Sequence, residues 1–169
     1  MTLADSSAPN MSTSSSPAPL FSIEKLYVRD ASLEVPGAPE CFFNMPAPEI
    51  QLEVQTGAQK INDHLYDVLL HIHLRAQAGE KTIFLVELAQ AGLFRLQHVP
   101  DDEVAPILGI ACPNMLLPFA REAVCDAVIR AGFPPVLLTP MNFEALYRAR
   151  LEQVSAQAQP SGKPASTAP

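Results

Sequence analysis

The residues of this 169-residue chain that could do chemistry are four histidines, three cysteines and a scatter of carboxylates. His71 and His73 stand two apart in an alternating stretch, which puts both on one face of a strand at a spacing that two zinc ligands can use. No Cys, Asp or Glu close by in the sequence completes the set, so the pair reads as part of a solvated sheet face. Cys112 is the other candidate, as a thiolate nucleophile with His98 as its base. Its neighbours Ile110, Ala111 and Pro113 are apolar, and nothing local lowers the thiol pKa, so it reads as a packed structural cysteine. There is no glycine-rich phosphate loop and no serine in a nucleophile-elbow pattern. The expectation is a protein with no catalytic residues, no metal and no cofactor.

Four stretches have the β-branched and aromatic content and the period-two alternation of strands: Phe21 to Val35, Glu49 to Gln55, His64 to Ala76, and Lys81 to Gln97. Ile50, Leu52 and Val54 alternate with Gln51, Glu53 and Gln55. Val68, Leu70, Ile72 and Leu74 alternate with Asp67, His71, His73 and Arg75, which predicts one dry and one wet face for each strand. Ala78-Gly79-Glu80 is short enough to join the last two strands as an antiparallel hairpin. The connection from Pro36 to Pro48 has four prolines and an apolar cluster of Cys41, Phe42, Phe43 and Met45, and reads as a stiff loop lying over something apolar. Phe119 to Ala131 has a helical period, with Glu122, Asp126 and Arg130 as a narrow polar stripe and a stop at Gly132-Phe133-Pro134. A last helix starts near an N-cap at Asn142, with Phe143, Leu146, Tyr147, Leu151 and Val154 on one face. Strands followed by helices predict an α+β domain, an antiparallel sheet with helices on one face.

The length fits one domain, expected over residues 21–154. Residues 1–20 and 155–169 are rich in Ser, Ala and Pro and are expected to be disordered tails. Asp5 and Lys163 are the only charges from Met1 to Pro19 and from Ser155 onward and cancel, so the formal −7 belongs to the folded part, which disfavours nucleic acid and suits basic partners. Met1 to Pro19 lacks the pattern of a secretory signal, and the three spaced cysteines do not form a disulfide framework; a cytoplasmic protein with reduced thiols is expected. The uncharged run Ala105 to Ala120 holds Pro106, Pro113 and Pro118, so it is not expected to span or insert into a membrane. Its apolar surface must be covered by the fold, a subunit contact or a bound partner. In the fourth strand, if Phe84, Val86 and Leu88 are core, then Ile83 and Leu85 are exposed beside Glu87. Glu24, Asp30 and Glu34 share a parity in the first strand. The result is either an ordinary polar sheet face or an acidic face with a small apolar centre suited to a basic peptide.

Several separated blocks carry a more specific signal: Tyr27-Val28-Arg29-Asp30-Ala31-Ser32, Glu34-Val35-Pro36-Gly37-Ala38-Pro39, Phe84-Leu85-Val86-Glu87, Cys112-Pro113-Asn114-Met115-Leu116-Leu117-Pro118-Phe119-Ala120-Arg121-Glu122 and Pro140-Met141-Asn142-Phe143-Glu144-Ala145-Leu146-Tyr147. In this order they resemble the SecB family of bacterial protein-export chaperones, over about Phe21 to Gln153. The resemblance implies a homotetramer, a dimer of dimers, of subunits with a four-stranded antiparallel sheet, a crossover loop and two main helices. It implies a holdase that keeps precursor proteins unfolded in the cytosol and delivers them to the SecA motor at the translocon, without hydrolysing anything itself. By matching position, Asp30, Glu34, Leu85 and Glu87 resemble the family's docking surface for the basic, zinc-binding tail of SecA; the zinc is the partner's. The family's client grooves point to Phe42, Ile50, Leu52, Val54 and Phe143. One departure is Pro46, where the family commonly has Trp two residues before Pro48-Glu49, which puts one aromatic contact of the groove in question. The competing readings are a SecB-like chaperone dedicated to another client such as an antitoxin, and a small-ligand or enzymatic domain using the space under the Pro36 to Pro48 loop.

Overall fold

A computed structural model describes residues 17–43 and 47–157; Met45 and Pro46 lie outside them, as do most of the two expected tails. The strands are β1 (Leu20–Glu34), β2 (Glu49–Lys60), β3 (Leu65–Ala78) and β4 (Lys81–Gln97). They form one antiparallel sheet in the order β1-β4-β3-β2, so the connection after β1 crosses from one edge of the sheet to the other. Gly79, at φ +59°, turns the β3–β4 hairpin. Directly paired residues share a face, and the helix-facing side carries Val68, Leu70, Ile72 and Leu74 against Gly92, Gln90, Leu88 and Val86. The four β3 residues are all buried, as their alternation predicts.

Three readings of the strands change. Ile83 is not exposed beside Glu87 but only 6% accessible and part of the core. The β3–β4 register shifts between Ala76 and Gln77, leaving Ile83 as the extra residue of a bulge, and a bulge breaks strict alternation. Asp67 lies on the side away from the helices, yet it is only 2% accessible. Tyr27 Oη donates to its Oδ1 at 3.0 Å, and the Arg29 guanidinium pairs with its Oδ2. Arg29 Nη2 also donates to Tyr27 Oη at 3.0 Å, and its bonds to Tyr27 first and to Asp67 second raise the Arg29 pKa above its usual value. β1 itself has register shifts between Ile23 and Lys25 and between Val28 and Asp30, so Glu24 and Asp30 do not share a face by simple parity. Glu24 instead accepts a 2.6 Å hydrogen bond from Arg95 Nε, which with the charge of Arg95 holds its carboxyl below the usual range.

The largest correction is in the proline-broken run. Residues Asp101–Arg130 form one continuous 30-residue helix. It comprises α1 (Asp101–Pro106), a π-helical turn (Ile107–Ala111) and α2 (Cys112–Arg130). In an unbroken α-helix the Pro113 ring would collide with the Gly109 carbonyl. The π turn inserts the needed slack: Cys112 N–H reaches Ile107 O, five residues back. Asn114 Nδ2 donates to Ile110 O at 2.9 Å, supplying a carbonyl in the widened turn. Asp101, Asp102 and Glu103 sit in the first turn, where the helix dipole favours negative charge. Gly132, at φ +89°, ends the helix, with Phe133 N–H bonded to Val128 O at 3.2 Å, a Schellman-type stop.

This helix has the length and hydropathy of a membrane crossing, with an 18-residue window of mean hydropathy 1.4, and so overturns the argument from prolines against a span. One of its sides packs on the sheet through Cys112, Leu116, Ala120, Val124 and Val128, each 0% accessible, while Met115, Phe119 and Ile129 are exposed. Only 28% of the apolar window is buried within the protomer. α3 (Phe143–Gln157) starts where Asn142 Oδ1 accepts from Ala145 N–H at 3.0 Å, the expected N-cap. Its Tyr147 ring lies on Gly109 in the π turn so closely that a Cβ at Gly109 would stand 2.4 Å from the ring.

Candidate docking and client surfaces

Two surfaces lie on opposite sides of the sheet. On the side away from the helices, three successive rungs run across all four strands: Glu34–Leu85–Arg75–Gln51, Ser32–Glu87–His73–Glu53 and Asp30–Ala89–His71–Gln55. Asp30, Glu34, Leu85 and Glu87 are therefore neighbours, although two strands supply them from distant parts of the chain. Asp30, Glu34 and Glu87 are exposed and Leu85 is half-buried among them. Acid around one accessible apolar side chain can attract a basic segment and then bury Leu85 against it. His71 and His73 do share this face, and His73 Nδ1 lies 3.1 Å from Glu87 Oε1. No group of three or more His, Cys, Asp or Glu is arranged to hold a metal among the described residues.

On the helix side, β2 is an edge strand whose Ile50, Leu52 and Val54 face the same way as the core. Ile50 is 42% and Leu52 36% accessible, and Val54 is half-buried. Three clefts follow the strand. One of about 380 Å³ lies between Ile50, Phe84, Phe133 and Val136; one of about 470 Å³ lies between Leu52, Val54, Met141 and Leu146; and one of about 310 Å³ lies between Thr56, Ala58, Leu108 and Leu151. Phe42 packs on Phe133 in a tilted arrangement with ring centroids 5.3 Å apart, and Phe133 on Phe84 likewise at 4.7 Å, so the crossover loop sits at the head of this line. Phe143 is placed elsewhere: at 1% accessible it is core, where it anchors the start of α3 and offers no surface to a client. The outer wall of the clefts comes from Phe133, Val136, Met141 and Leu146, which periodicity alone does not single out as groove residues. Leu146, Leu151 and Val154 remain exposed, so the apolar face of α3 is not fully covered in the protomer.

The family model described as preprotein translocase subunit SecB matches residues 14–154. The chain belongs to the SecB family. SecB from Dechloromonas aromatica, a protein-export protein, is 51% identical over 135 residues, covering 80% of this chain and 89% of that one. The protein-export protein SecB of Neisseria gonorrhoeae is 52% identical over 141 residues, 83% of this chain and 96% of that one. The SecB fold is also seen in the SecB-like chaperone of Mycobacterium tuberculosis, solved with a peptide from an antitoxin. It aligns at a TM-score of 0.56 and 20% identity, over 72% of this chain and 91% of that chain.

The enzymatic alternative has no support at its centre. Cys112 is 0% accessible, and burial pushes its thiol up to about 12, so it stays protonated and unreactive at neutral pH. Cys41 and Cys125 are half-buried free thiols. Alkylation of the native protein with iodoacetamide should modify Cys41 and Cys125 and leave Cys112 intact, with Cys112 reacting only in denaturant. Mass mapping of the labelled peptides checks this, and rapid native labelling of Cys112 would contradict its placement.

Proposed function

We propose that this SecB chaperone is a non-enzymatic cytosolic holdase that takes unfolded precursor proteins along β2 and presents them to SecA through the opposite face of the sheet. The observation that carries the reading is the meeting of Asp30, Glu34, Leu85 and Glu87 on three consecutive rungs of one open face. A basic tail on SecA would be steered there by charge and held by burial of Leu85. Phe42, Ile50, Leu52 and Val54 are the client contacts of this reading. An edge strand with apolar clefts beside it offers an extended client unpaired backbone groups and unspecific apolar contacts together. Binding the unfolded ensemble and not the native state holds the client open by mass action. The working unit is a single domain over residues 21–154.

The same reading assembles the protomers as a dimer of dimers. Support comes from the long helix, whose stripe of Met115, Phe119 and Ile129 is exposed beside Glu122 and Asp126. Several client grooves on one assembly would add avidity.

The test is suppression of aggregation of a slow-folding precursor, together with calorimetric binding of SecA by the unsubstituted protein and by Glu34→Lys and Leu85→Ala. Glu34→Lys should weaken SecA binding about tenfold or more at low salt, and Leu85→Ala about fivefold, from lost apolar burial of roughly 1 kcal/mol. Aggregation suppression should be unchanged in both. Unaltered SecA affinity in the two variants removes the docking assignment, and failure to protect any unfolded client removes the holdase.

A further inference from the structure

We propose that the docking surface continues across the sheet to Glu53 on β2, and that His73, seated on Glu87, sets how strongly this surface takes a basic segment. The inference rests on the docking reading above and adds to it two residues and a dependence on pH. Glu87, His73 and Glu53 occupy one rung in that order, so the histidine stands directly between two carboxylates. Its Nδ1 is 3.1 Å from Glu87 Oε1, and the two side chains are 40% and 53% accessible. A cleft of about 390 Å³ opens over this rung, walled by Arg29, Asp30, Glu53, His71, His73 and Glu87 among others. That volume is within the range of small-ligand pockets, roughly 300–1,000 Å³, so a lysine or arginine side chain can enter it whole.

The occupant is fixed by charge. Facing the cleft and its first neighbouring rung are Asp30 and Glu34 from β1, Glu53 from β2 and Glu87 from β4, against His71, His73 and Arg75 from β3. Arg29, which also lines the cleft, is committed to Asp67. With both histidines neutral, four carboxylates oppose the single uncommitted cation Arg75, and the face is strongly acidic. A proton on His73 removes one unit of that charge and also gives Glu87 an internal cation to hold. His73 therefore competes with the incoming basic side chain for the same carboxylate. Neutral, it is a positioning residue for Glu87; protonated, it is a rival for that carboxylate.

The experiment is calorimetric titration of SecA into the full chain at pH 8, 7 and 6 and constant ionic strength, with the unsubstituted protein, H73Q, E53Q and E34K. Dividing the affinity of each variant by that of the unsubstituted protein at the same pH removes the titration of SecA itself. The unsubstituted protein should lose about fivefold in affinity from pH 8 to pH 6, the size of one exposed charge pair. H73Q should lose most of that dependence, so that its ratio to the unsubstituted protein rises about threefold as pH falls. E53Q should weaken binding about threefold at pH 8. If E34K weakens binding while the H73Q ratio is flat with pH and E53Q binds normally, this inference is overturned and the docking reading stands. If E34K binds as the unsubstituted protein does, the docking reading falls and this extension falls with it.

Discussion

A glutamate at Val124 should unfold the protomer, whereas a glutamate at Phe119 should leave it folded and change only its assembly. The two positions are five residues apart on α2 but face opposite ways. Val124 is 0% accessible in the core against the sheet, and Phe119 is 44% accessible. A carboxylate at Val124 would be buried without a partner, costing on the order of 4 kcal/mol, a large part of the 5–15 kcal/mol that holds a typical domain together. At Phe119 the charge stays in water in the protomer and meets apolar surface only if another subunit covers that stripe. Thermal melting by circular dichroism should show a collapse of the transition for Val124→Glu and a near-native far-ultraviolet spectrum for Phe119→Glu. Sedimentation velocity should show Phe119→Glu at a smaller mass than the unsubstituted protein. A Phe119→Glu protein that keeps its full assembly would exclude this stripe from the subunit contact.

Gly109→Val should detach α3 from the long helix. The Cβ of any other residue at Gly109 would fall 2.4 Å from Cδ2 and 3.4 Å from Cγ of Tyr147, closer than carbon atoms pack, so the ring must give way. α3 must move away, at a cost of about 1–3 kcal/mol. The damage is local because the other anchors of α3 remain: Phe143 is buried at its start, and Arg150 Nη1 donates to Thr56 O at 2.8 Å midway along it. Since Leu146 and Leu151 wall two of the clefts along β2, client affinity should fall while SecA affinity does not. Hydrogen exchange should locate the change, with faster exchange over Phe143–Gln157 and little change in β3 and β4. Native protection of α3 in Gly109→Val would show that the ring does not hold the helix.

Period-two alternation is sufficient for β3 from Val68 to Ala76, because β2 and β4 both pair with that stretch without a register shift and its dry face is fully covered. It failed at Ile83, where a bulge adds a residue, and for the shared parity of Glu24 and Asp30, where β1 has two register shifts. A bulge leaves little trace in local hydrophobicity. Asp67 was legible as an outer-face residue but not as a buried one, since its cover comes from Tyr27 and Arg29 about 40 positions earlier. The continuity of the long helix is not legible in the sequence, because proline ordinarily ends a helix, while the π turn gives Pro113 room without ending it. Of the candidate residues, Asp30, Glu34, Leu85 and Glu87 are half legible: parity suggests an acidic face with Leu85 beside Glu87, but nothing local pairs Glu34 with Leu85. Phe143 is hidden for a different reason: an aromatic at the start of an amphipathic helix carries the same pattern whether it lines a groove or fills the core.

The sheet that separates the two surfaces is a single layer. A client lying along β2 and a basic tail lying across Glu34 and Leu85 would be on opposite sides of the same four strands, in contact with alternate residues of the same backbone. Neither would shade the other, so a ternary complex is permitted by shape, and the order in which client and motor arrive is left open. Substitutions on the two sides should then act additively on the two affinities. Any departure from additivity would measure a coupling free energy transmitted through the sheet itself, felt equally by both ligands.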